Sequence, residues 1–162
     1  MIKLVRCDDR MIHGQCIVRV LKDFRIERII GVDNFTAGNA VLKSIYKMAM
    51  PPQTAGGIYT EEEAIHEIEE YITSGENTLL LVKAPRTALN LFRALDGIPR
   101  ELNIGPMSSR KNTIKATMYA YLSDEEIADI DEMSAIGVRV YFNQTIDQKA
   151  EEWEKVKSRM KR

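Results

Sequence analysis

Short apolar runs rich in β-branched residues alternate along this chain with longer stretches whose apolar positions recur every three or four residues. That alternation is the signature of parallel βαβ units. Ile2 to Val5 reads as a first strand, and Ile17, Val20, Leu21 and Phe24 recur on one face and predict a helix over 14–24. A second strand over 28–33 ends in Asp33-Asn34, and a helix over 37–50 is stopped by Pro51-Pro52. A weaker third strand lies within 53–59. Thr60 with Glu63 has the form of a capping box opening a helix that runs to about Ser74, where Gly75 closes it. Thr78 to Val82 is the strongest buried-strand signal, and Pro85 opens the next helix, which carries Leu89, Leu91, Phe92 and Leu95 and ends at Asp96-Gly97. Glu101 to Ile104 is a short strand leading into a polar, basic loop over 105–112. Met118 to Leu122 is expected to pair at a sheet edge, and Ser123 with Glu126 gives a second capping box before a helix ending near Gly137. The last clear strand is Val138 to Phe142, followed by a terminal helix over 147–162 whose charged end frays.

These elements make an α/β protein: one domain over 1–162, a doubly wound and largely parallel sheet with helices on both faces. Acidic and basic residues nearly cancel, leaving a formal net charge of −1, so no whole-molecule field draws in nucleic acid or an anionic membrane. Any anion site must be local. No apolar run approaches the roughly 18 residues of a spanning helix, and no secretory leader pattern opens the chain. The chain is therefore expected to be cytoplasmic. Cys7 and Cys16 lack zinc-type spacing and are too few for a disulfide framework, so they read as reduced thiols, with no metal or cofactor implied.

The sharpest chemistry lies at the first strand-to-helix turn, Asp8-Asp9-Arg10-Met11-Ile12-His13-Gly14-Gln15. Open α/β sheets place their sites at such turns. Imidazole titrates near neutrality, so a neutral ring offers a lone pair that can attack phosphorus without a separate base. Arg10 brings a planar fork for phosphate oxygens, each charge-assisted hydrogen bond contributing about 1.5–3 kcal/mol. Gly14 puts no side chain between phosphate and backbone, and the N–H groups after it open a helix whose dipole favours an anion. Gln15 could add a donor. Asp9 is better suited to orient Arg10 or the imidazole N–H than to touch phosphate, since two anions repel. Asp8 reads as a solvated turn residue. On spacing alone, a surface histidine with no role competes evenly with a phosphoryl carrier, and Arg10 could be a mere ion-pair partner.

The same residues carry a resemblance. With Met48-Ala49-Met50-Pro51-Pro52, Leu79 to Lys83 followed by Pro85, and Leu102-Asn103-Ile104-Gly105 followed by Met107, the loop motif makes the whole chain resemble the IIB component of the mannose/fructose/sorbose class of the bacterial phosphoenolpyruvate-dependent sugar phosphotransferase system. Cys7 and Cys16 stand where aliphatic residues are usual, Met11 replaces a leucine, Pro106 stands where a small residue is common, and the loop after Met107 diverges most. The resemblance implies a ping-pong carrier, a protein-phosphohistidine:sugar phosphotransferase. His13 would take phosphate on Nδ1 from a phosphorylated IIA partner and pass it to a hexose-type sugar arriving through membrane IIC and IID components. The protein would then sit peripherally on that transporter. Its oligomeric state is open, a homodimer included, and so is the identity of the sugar.

Other residues carry less. Asn34 and Lys83 each follow a strand and could line the same crevice, although strand ends are often simply polar. Ser108, Arg110 and Lys111 could bind phosphate or partner, or be a solvated loop. His66, among glutamates, has no assigned role. Other IIB classes phosphorylate a cysteine, but Cys7 and Cys16 in aliphatic positions read as small packing residues. A nucleotide-binding module fails for want of a glycine-rich phosphate loop. A histidine phosphatase or mutase needs arginine where Ile12 stands. A phosphorylated regulatory module without a sugar substrate stays open.

Overall fold

The computed structural model describes residues 1–161, except for the side chain of Gln15. The chain runs β1 (Ile2–Cys7), α1 (Gly14–Asp23), β2 (Arg28–Val32), α2 (Asn34–Ala37), α3 (Ala40–Ala49), β3 (Ala55–Tyr59), α4 (Glu61–Ile72), β4 (Thr78–Val82) and α5 (Pro85–Ala94). It continues through β5 (Glu101–Ile104), β6 (Thr113–Lys115), β7 (Tyr121–Ser123), α6 (Asp124–Ala135), β8 (Arg139–Phe142), β9 (Glu151–Glu152) and α7 (Trp153–Arg159). Seven strands form one sheet in the order β3-β2-β4-β1-β5-β8-β9, parallel except where β9 runs antiparallel to β8. The chain winds from β1 toward one edge, returns to insert β4 beside β1, then builds β5 and β8 on the other side. The C-terminal end of β1 thus lies where the winding reverses, the position at which open parallel sheets hold ligands.

Every residue of β4 is buried, because the sheet is covered on both faces. Leu80 and Val82 join the core beneath α4, α5, α6 and α7, while Leu79 and Leu81 pack with Ile17, Val20 and Leu21 of α1 on the opposite face. The period-two alternation of a strand divides one apolar run between two cores. Both capping boxes form: Thr60 with Glu63 opens α4, and Ser123 with Glu126 opens α6.

Three expected elements differ. The helix expected over 37–50 begins only at Ala40, where Asn39 caps it through Leu42 N at 3.0 Å, and a separate short helix precedes it, opened by Asp33, which accepts hydrogen bonds from Thr36 N at 3.0 Å and Thr36 Oγ1 at 2.6 Å. Met118 to Leu122 does not join the main sheet; β7 pairs with β6 in a separate antiparallel hairpin. The terminal helix begins only at Trp153, because Glu151 and Glu152 pair with Phe142 and Tyr141 as an edge strand. Packing decides there: the Trp153 ring stacks on Phe142 at 5.9 Å and its Nε1 donates to Asp131 at 2.9 Å. Arg162, the last residue of the expected helix, lies outside the described residues.

Candidate active site

The loop after β1 is pinned to its neighbours by backbone hydrogen bonds. Asp8 N donates to Val82 O at 3.0 Å, Asp9 N to Pro106 O at 3.2 Å, and Met11 N to Asp8 O at 2.9 Å. Met11 and Ile12 turn into the core on the α1 face, while His13 stays exposed. Two left-handed residues bracket this reversal, Met11 at φ 52° and Gly14 at φ 46°. Glycine adopts that conformation freely, whereas methionine does not. A Cβ on Gly14 would meet nothing within 4 Å, so it is the backbone angle rather than crowding that calls for glycine.

His13 occupies the N-cap position of α1 in extended backbone and spends no side-chain hydrogen bond on the cap. Its ring stands at the positive end of a ten-residue helix, free to receive an anion. Arg10 is about one-third exposed, with Nε 3.5 Å from Asp8 Oδ1. That Nε is buried and makes no hydrogen bond, and the two terminal nitrogens make none with any described residue.

Asp8 is not a solvated turn residue. It is 3% exposed, its Oδ1 accepts from Arg10 N at 3.0 Å, and its Oδ2 lies 3.9 Å from Arg6 Nη2. Burial raises its carboxyl pKa above the usual range, against the pull of Arg10 N and the two arginines. Arg6 is buried, and that burial lowers its guanidinium pKa. It donates through Nη1 to Asn103 Oδ1 and, at 3.5 Å, to Asn143 Oδ1, and through Nη2 to Gln144 O at 2.8 Å. Asn103 Nδ2 in turn donates to Asn143 Oδ1 at 2.7 Å. The sequence reading missed this cluster. Its signal was present, since Arg6 and Asn103 interrupt strands buried on both faces and such groups need partners.

Asp9 does not brace Arg10. Its Oδ2 accepts from Ser108 N at 2.6 Å, tying the basic 105–112 loop to the histidine loop, and its Oδ1 is buried without a partner. Ser108 itself is exposed beside the site. Arg110 is committed elsewhere, in a bidentate pair with Glu126 at 2.8–2.9 Å, and that hydrogen bonding raises its pKa. Lys83 follows β4, next to β1, and makes no hydrogen bond or ion pair with any described residue. Asn34 is one strand further out, and its Oδ1 accepts from Glu61 N at 2.8 Å, so it serves α4. The Gln15 side chain lies outside the described residues. Cys7 is fully buried and its thiol pKa is pushed well up by burial; Cys16 is only half-buried.

Residues 2–162 match the family model for the sorbose subfamily IIB component of the phosphotransferase system. The chain belongs to that family. It is 30% identical over 140 residues to the sorbose-specific EIIB component of Lacticaseibacillus casei, covering 86% of this chain and 84% of that one. It is 26% identical over 139 residues to the mannose-specific EIIAB component of Escherichia coli, covering 86% of this chain but 43% of that longer protein. The fold superposes on the IIBSor domain of the sorbose permease from Klebsiella pneumoniae with a TM-score of 0.90 at 24% identity, across 98% of both chains. As a IIB component, the protein is a sugar phosphotransferase and a phosphoryl carrier in sugar transport. Among the described residues, no helix is long and apolar enough to cross a membrane.

Proposed function

We propose that His13 is the residue that carries the phosphoryl group. The observation that supports this most directly is an exposed imidazole at the N-terminus of α1, with no capping bond, on a loop anchored by buried side chains. A ring nitrogen attacks phosphorus as the bond from phosphorus to the donor's histidine breaks. In the second half-reaction a sugar hydroxyl attacks the same phosphorus, the bond to His13 breaks, and the hydroxyl proton leaves to solvent. No group in this scheme has to hold the product tightly, so catalysis rests on position and charge neutralisation.

Arg10 has unengaged terminal nitrogens and supplies the fork for the travelling phosphate. Gly14 leaves the backbone open to it, and the first N–H groups of α1 complete the cradle, Gln15 contributing at least its backbone. Lys83, unengaged at the neighbouring strand end, and Ser108, held against Asp9, flank the approach. Asp9 holds the 105–112 loop in place instead of touching phosphate. Asn34 contributes through the start of α4.

The donor is a phosphorylated IIA component, and the curated E. coli relative joins A and B in its name. The acceptor is a hexose-type sugar brought by membrane IIC and IID components, to which this chain attaches peripherally from the cytoplasm. With phosphoenolpyruvate, the general phosphotransfer proteins and a cognate IIA component, the chain should gain one acid-labile, base-stable phosphate, and His13→Ala none. An unlabelled wild type, or a fully labelled His13→Ala, would overturn the assignment. Membranes carrying the partner components and sugar should discharge the label; a label that persists would mark a regulator instead of a carrier.

A further inference from the structure

Beneath the histidine loop runs a line of alternating charge. Arg6 lies deepest at 2% exposure, with Asp8 above it at 3%, then Arg10 at the surface. Arg6 is held from three directions: Asn103 on β5, and Asn143 and Gln144 just after β8. Gly105 leaves it room, since a Cβ there would lie 2.3 Å from Arg6 Nη2. Those hydrogen-bond partners are neutral, so Asp8 at 3.9 Å is the anion facing the buried guanidinium. Asp8 in turn accepts from Arg10 N at 3.0 Å and stands 3.5 Å from a buried Arg10 Nε that has no other partner.

We propose that Asp8, backed by Arg6, is the positioning residue for Arg10. It holds the backbone and the Nε edge of that side chain, which leaves the terminal nitrogens for phosphate. The proposal rests on His13 carrying the phosphate. The ordering of parts follows from chemistry: an arginine that clamps a transient group must be placed before the group arrives, because ordering it at the moment of transfer adds to the barrier. Asp8 can do this without meeting the phosphate, since its oxygens face the two arginines. The trio keeps a net positive charge, so the anchor does not cancel the attraction that Arg10 exerts. Burial works against both inner charges, raising the Asp8 carboxyl pKa and lowering that of Arg6. A fold that retains charges against burial next to its site follows the pattern of functional residues.

A double-mutant cycle tests this. Transfer from a phosphorylated IIA component is followed in wild type, Asp8→Asn, Arg10→Ala and the double variant. Asp8→Asn should slow kcat on the order of tenfold to a hundredfold and change KM for the donor by less than about twofold. In the Arg10→Ala background it should add nothing, because the side chain it positions is gone. Equal losses in both backgrounds, or a loss confined to KM, would overturn the proposal and leave His13 standing. An unlabelled wild type would remove the His13 assignment itself, and the proposal with it. A second measurement needs no variant at Asp8: the Arg10 Nε–H resonance of unphosphorylated wild type, assigned by its disappearance in Arg10→Lys, should be resolved and slow to exchange with solvent. A rapidly exchanging, averaged signal would show that Arg10 is not held beforehand.

Discussion

Asp8 and His13 belong to one loop, yet the structure treats them in opposite ways, burying the acid and exposing the histidine. Phosphoryl transfer between proteins needs an accessible ring, whereas a positioning charge works best where water does not screen it. The buried carboxylate carries a cost that pH should reveal. The folded pKa of Asp8 lies above its ordinary value, chiefly through desolvation. The stability this group contributes is therefore complete below the unfolded value, near about 3.9, and is lost as pH rises through the folded one. Asp8→Asn removes that loss. Its melting temperature relative to wild type should climb as pH rises from the ordinary carboxylate range through the raised folded value of Asp8; a difference that stays flat or falls would contradict the assignment. The place of His13 and Gly14 at the start of α1 was legible in the sequence, because it depends on neighbours in the chain. The burial of Asp8 was not, since an aspartate at a turn looks the same whether it is solvated or wedged between two arginines.

The elements that frame the site owe their ends to local chemistry that can be read directly. Thr60 with Glu63 and Ser123 with Glu126 form the reciprocal hydrogen bonds their spacing promises, at 2.9–3.2 Å. The failures came where a cap set a helix start that the apolar period did not show, as Asp33 does for α2 and Asn39 for α3. They came also where a strand formed against propensity, as Glu151 and Glu152 do on β8. At the end of β5, Gly105 shows how an element's terminus can serve the site. Gly105→Ala should displace the Arg6 guanidinium, lower the melting temperature and slow transfer to His13 together. Gly57→Ala, where a Cβ meets nothing within 4 Å, should do far less. Melting curves and transfer rates of the two variants, measured side by side, decide the point. Equal effects would mean that the close approach of Gly105 to Arg6 is unimportant.

The molecule as a whole is a sheet buried on both faces, with the histidine loop at one end of it. Leu80, wholly buried in β4, belongs to the core beneath α4 and α5. Leu80→Ala should cost about 2–5 kcal/mol, read as a lower denaturation midpoint, while protein that remains folded still accepts phosphate at His13. A loss of phosphorylation without loss of stability would contradict that separation of core from site.

The sequence by itself determined the alternation of strands and helices, both capping boxes and the place of His13 at a strand-to-helix turn. Those features depend on periodicity and on residues a few positions apart, which the chain states locally. Tertiary structure alone decided that Arg6, Asn103 and Asn143 meet, because they sit on or just after three neighbouring strands, β1, β5 and β8, that are far apart in sequence. It also decided that Asp9 ties the 105–112 loop to the histidine loop, and that Arg110 turns away to Glu126. A hydrogen bond between residues a hundred positions apart depends on the order of the strands, and that order is settled by how the two faces of the sheet are covered.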